Sequence, residues 1–155
     1  MELSVTSILW RLAAVLVLVA ANGMFVAAEF SIVAVRRTRL LPLVEGGSSR
    51  ARMVLRAADN LDPYLAATQL GITMASLGLG WIGEPAVAAL LEPLLRPLPL
   101  GLQEATTRVV AIVLAFALIT TLHIVLGELA AKSLAIWRPE ATALVVTPPT
   151  ELFSR

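Results

Sequence analysis

The chain reads as an all-α membrane protein: three transmembrane helices plus short juxtamembrane helices, N-terminus outside and C-terminus cytoplasmic. Three observations predict this. Hydrophobic residues make up 58% of the 155 residues, and the mean hydropathy is +0.85, outside the range of a soluble domain. Three apolar stretches, 12–35, 63–83 and 107–137, are each long enough to cross a hydrocarbon core that takes about 20 helical residues. The arginines are unevenly divided: Arg36, Arg37, Arg39, Arg50, Arg52 and Arg56 lie between the first two stretches, while Arg96 alone faces Glu84, Glu92 and Glu104 between the second and third. Basic connections stay in the cytoplasm, which fixes the expected orientation.

Each element has its own warrant. The first stretch carries only Glu29 as a charge between Leu12 and Val35 and spans about 36 Å as a helix. A cleaved signal peptide has a shorter apolar core, so this one reads as a retained helix. The second opens at Asp62-Pro63, a cap followed by proline at the first helical position, and runs uncharged to Gly83. The third opens near Thr106-Thr107 and runs to Trp137, because Arg138-Pro139 discourages further helix. In the cytoplasmic juxtamembrane region 36–62, Ser48-Ser49 can cap a short helix holding Met53, Val54, Leu55 and three arginines; it reads either as a helix at the membrane surface or as a solvated linker that sets topology. Pro85, Pro93, Pro97 and Pro99 suggest a rigid, partly helical outer connection. Trp10, Tyr64, Trp81 and Trp137 fall near span ends, as interfacial aromatics do.

Polar residues inside apolar spans are costly and point to function. Glu128, in Leu118-Ile-Thr-Thr-Leu-His-Ile-Val-Leu-Gly-Glu128-Leu-Ala-Ala-Lys132, costs about 2.5 to 3.5 kcal/mol on insertion scales. Helical spacing places Asn22 and Glu29 on one face of the first span. Gln69, Thr73 and Ser76 form a stripe on the second. On the third, Thr121, Val125, Glu128 and Lys132 share a face beside that of Thr120, His123 and Gly127. Three such faces can enclose a site lined by oxygen. With no cysteine in the chain, a metal must be held by oxygen or by the single histidine. Plainer readings stand beside this one. Small and hydroxyl residues also serve helix packing, Glu128 and Lys132 can pair four residues apart, and His123 can be a hydrogen-bonded interior residue. Gly127 would loosen its helix and free carbonyls.

The segments Phe25-Val-Ala-Ala-Glu29-Phe-Ser-Ile-Val-Ala-Val-Arg-Arg-Thr-Arg-Leu40, Thr68-Gln-Leu-Gly-Ile-Thr73, Gly83-Glu-Pro85 and Gly127-Glu128-Leu-Ala-Ala-Lys132-Ser together resemble the transmembrane domain of the CorC and cyclin M (CNNM) family, the hemolysin C-like proteins related to magnesium and cobalt efflux. The resemblance covers nearly the whole chain from about residue 10 and implies a single domain over 1–155. It also implies a homodimer, magnesium export driven by sodium entry, and a cytoplasmic pair of ATP-binding CBS modules beyond a connecting helix that starts at 140–155. On this resemblance the chain is expected to be a truncated piece without those modules. Glu128 matches the acid of the family's Gly-Glu motif. The first-span serine pair of many members falls here on Asn22 and Val26, and a second-span Gly-Asn pattern appears as Gly71-Ile72, with a later asparagine replaced by Ser76. These departures suggest a modified site.

Magnesium takes about six oxygen ligands. Glu128 would supply the charge, Asn22, Thr73 and Ser76 neutral oxygens, and carbonyls near Gly127 the remainder. Gln69, His123 and Lys132 would support the site, and Glu29 would attract cations or pair with Arg36 or Arg37. Three function classes remain: an exporter of magnesium or a similar divalent cation, an organic-cation exporter (of diamines, for example), and a non-transporting membrane sensor or scaffold. The motifs assemble no catalytic constellation, so no enzyme is expected, nor a nucleic-acid partner. Membrane lipid, magnesium, sodium and a second copy are the expected partners, in the inner (plasma) membrane.

Overall fold

The computed structural model describes residues 5–95 and 104–154, all in helices or the short turns between them. The helices are α1 (Val5–Ala34), α2 (Arg37–Glu45), α3 (Ser49–Asp59), α4 (Leu61–Gly78), α5 (Glu84–Leu95), α6 (Glu104–Leu122), α7 (Ala131–Trp137) and α8 (Pro139–Phe153). Two π-helical segments, Leu79–Gly83 and His123–Ala130, join α4 to α5 and α6 to α7 without interrupting the helical path. Three helices are therefore long and apolar enough to cross a membrane: Leu9–Ala34, Leu61–Leu95 and Glu104–Trp137. The all-α, three-span class read from the sequence is what the structure has. The helix that carries the second span continues beyond Gly83, because the chain passes through π-helical turns and goes on as α5. Arg96, Pro97 and Pro99 lie outside the described residues.

α1 is the central element, packed against α4, the second π segment, α7 and α8. Two apolar clusters occupy its ends. Toward its start, Val15 and Val19 pack with Leu79, Val87, Ala115 and Ile119. Toward its finish, Ala28 and Ile32 meet Leu40 and Val54 from the basic connection, Tyr64 from α4 and Ala143 from α8. Between the clusters lies fully buried Asn22, so the core is polar at its middle.

The basic connection folds into two short helices. Gly47, at φ 88°, makes the turn between them, a conformation glycine adopts without steric cost. Ser48 Oγ accepts from Ala51 N at 3.2 Å and caps α3, as the Ser48-Ser49 pair predicts. Ala51 and Val54 are buried while Arg50, Arg52 and Arg56 face outward, the pattern of a helix lying along a surface. Asp62 is not a cap: α4 begins at Leu61, and Asp62 sits in its first turn. Arg37 forms a two-pronged ion pair with Asp59, 2.6 and 3.3 Å, worth about 0 to 1 kcal/mol at this exposure.

The third span leaves most of its surface uncovered, with 17% of its most apolar window buried inside the chain. Val109, Val113, Phe116 and Leu129 are all more than half exposed, a surface suited to acyl chains, which are as apolar as leucine.

Candidate functional site

The second π segment builds the site. In π-helix the backbone bonds run i to i+5 instead of i to i+4, so residues five apart come to lie one turn above each other. His123 and Glu128 are such a pair, with Nε2 and Oε1 4.0 Å apart. The same change turns the Gly127 carbonyl toward α1, where Asn22 Nδ2 donates to it at 3.1 Å. Ser76 Oγ reaches in from α4, 3.4 Å from Asn22 Oδ1 and 3.3 Å from His123 Nε2. One assignment satisfies these contacts: His123 donates from Nε2 to Ser76, Ser76 donates to Asn22 Oδ1, and Asn22 donates to Gly127.

Space favours glycine at position 127. A Cβ there would lie 3.0 Å from Asn22 Nδ2 and 3.0 Å from His123 Cδ2, tighter than side chains normally tolerate. Glycine lets α1 and the third span approach until the amide meets the carbonyl. The result is four oxygen-bearing groups from three spans, with a single carboxylate among them. Among the described residues no three His, Asp or Glu side chains gather as a metal cluster. Charge at the site comes from Glu128 alone, whose side chain is 41% exposed, and from His123 if protonated. Such a set suits a hard cation held loosely.

The structure thus brings together Asn22, Ser76, Gly127, His123 and Glu128. It leaves Thr73, Gln69, Lys132 and Glu29 outside the network. On α4 the buried face runs through Thr68, Gly71 and Ala75. At about 100° per residue, Ser76 falls at its edge and Thr73 on the far side. The Thr73 hydroxyl is exposed and donates back to Gln69 O at 2.8 Å; Gln69 is exposed as well. Lys132 does not pair with Glu128. The π segment turns the carboxylate toward His123, and the ammonium rests 4.6 Å from the Phe30 ring centroid, a cation–π contact. Glu29 is half-buried and has no ion pair among the described residues, since Arg37 is held by Asp59. Glu84, in the sequence an acid of the outer connection within Gly83-Glu84-Pro85 and given no site role there, lines a cavity together with Ser76 and His123.

A family model described as the cyclin M transmembrane N-terminal domain matches residues 12–155. The chain belongs to this cyclin M transmembrane family. Among curated relatives, the UPF0053 protein YhdT of Bacillus subtilis is 47% identical over 137 residues, covering 88% of this chain and 29% of that protein. The UPF0053 protein YugS of the same organism is 44% identical, covering 90% of this chain and 32% of its own length. An uncharacterized protein of Mycobacterium tuberculosis is 39% identical, with 90% and 39% covered. The chain spans about a third of the length of the curated relatives it matches. As a cyclin M domain it is a membrane protein, in keeping with its three apolar spans.

Proposed function

We propose that this cyclin M domain is the ion-binding membrane part of a divalent-cation transporter that exports magnesium against sodium entry. The observation that carries the reading is the convergence of Asn22, Ser76, the Gly127 carbonyl and Glu128 from three spans at the polar middle of α1. Magnesium is the transported substrate, and one carboxylate with neutral oxygens binds weakly enough to release it. Asn22 Oδ1, Ser76 Oγ and the Gly127 carbonyl contribute neutral oxygens, Glu128 contributes charge, and His123 orients Ser76. Thr73 has no part in this reading, because its hydroxyl faces away.

The arginine-bearing helices face the cytoplasm of the cell's plasma membrane, by the distribution of positive charge. The uncovered face of the third span is available to lipid and to a second copy in a homodimer. Regulatory modules of the CBS type in the cytoplasm fit the greater length of the relatives.

Flux tests this. Protein in liposomes holding a magnesium-sensitive dye is expected to move magnesium when a sodium gradient is applied, with Glu128→Gln slower by about tenfold or more. Folded wild type that moves diamines and no magnesium would overturn the divalent-cation reading.

A further inference from the structure

Two cavities lie in series on the side of the network away from α2 and α3. The first, about 190 Å³, has Ser76 and His123 at one end and Glu84 at the other, with Thr120 and Gly80 along its length. The second, about 200 Å³, begins at Glu84 and continues past Ala88 to Glu92 and Arg108, near the start of α6. Glu84 is the residue shared by both. It is half-buried in the Leu61–Leu95 helix, and a half-buried carboxylate that borders two cavities is placed to meet a passing cation.

Spacing separates this carboxylate from the binding network. Glu84 follows Ser76 by eight residues, a rise of about 12 Å, so one ion cannot touch both groups. The π segment Leu79–Gly83 lies between them and contributes Gly80 to the first cavity. A Cβ at Gly80 would meet nothing within 4 Å, so the backbone there borders open space. Part of that space opens on the exposed flank of Gly80 and Phe116. Among the described residues, the second cavity is lined by Glu84, Glu92 and Arg108.

We infer that Glu84 is a relay carboxylate for the transported cation, the next station after Glu128 on the way to the membrane face opposite the basic helices. This rests on the transporter reading and assigns it a route. A cation that leaves Glu128 for a low-dielectric interior faces a desolvation cost of several kcal/mol unless a second negative charge receives it. Glu84 is placed to receive it, with room for hydrating water on both sides.

The test compares binding with flux in Glu84→Gln and Gly80→Leu, the second adding bulk at the border of the same cavity without changing a charge. Magnesium titration of the purified protein is expected to give affinities within about twofold of wild type for both variants. Magnesium flux in liposomes is expected to fall about tenfold or more in both. Wild-type flux in both variants sinks the relay while leaving the Glu128 site standing. Loss of binding in Glu84→Gln also sinks it, by making Glu84 part of the binding site. A wild type that binds no magnesium removes the transporter reading itself.

Discussion

At the scale of single residues, Asn22 and Gly127 depend on each other. Asn22 is fully buried, and an amide in that position must find partners; it finds the Gly127 carbonyl and the Ser76 hydroxyl. Replacing Gly127 by alanine puts a methyl group 3.0 Å from that amide. Overpacking of this kind costs about 1 to 3 kcal/mol. Gly127→Ala is therefore expected to lower the melting temperature in detergent and to weaken magnesium binding about tenfold. Wild-type affinity in this variant would show that the amide–carbonyl contact does not shape the site. Asn22, Ser76 and Glu128 were legible as candidates because polar groups stand out in apolar spans, and Gly127 because a glycine there frees carbonyls. Thr73 looked equivalent to Ser76 in the one-dimensional stripe, and only the direction of the α4 packing face separates them.

At the scale of elements, the π segments account for most of what spacing did not reveal. Three spans could be read from hydropathy and from the arginines, since both depend on composition. Hydropathy does not distinguish i to i+5 bonding from i to i+4. His123 and Glu128 therefore meet where an intrahelical Glu128–Lys132 pair was also open, and the helix that carries the second span runs on through Gly83 to Leu95. Helix contact is set elsewhere by glycine. A Cβ at Gly71 would meet the Phe25 ring at 2.6 Å, and that ring is held by Phe153 at 4.9 Å between centroids. Gly71→Ala must displace the Phe25 ring, so the α1–α4 contact is expected to loosen and the melting temperature to drop by the equivalent of about 1 to 3 kcal/mol. Gly80→Ala, in open space, serves as the comparison. Equal melting temperatures for the two variants would contradict the packing account.

At the scale of the whole molecule, two apolar clusters clamp the ends of α1 and leave a polar band between them. The clusters provide a rigid frame, and the band provides oxygen atoms from each span. Cavities continue from the band past Glu84 toward the start of α6, while α2, α3 and α8 pack around Leu40, Val54 and Ala143 at the opposite end, where a cavity of about 220 Å³ borders Arg56, Tyr64 and Glu151. The central claim is that the band binds a divalent cation through Glu128, and calorimetric titration of magnesium into purified wild type and Glu128→Gln tests it most directly. Saturable binding in the micromolar to millimolar range, weakened about tenfold or more in the variant, is the predicted result. Folded wild type with no saturable binding, or the same affinity in both proteins, would contradict the claim.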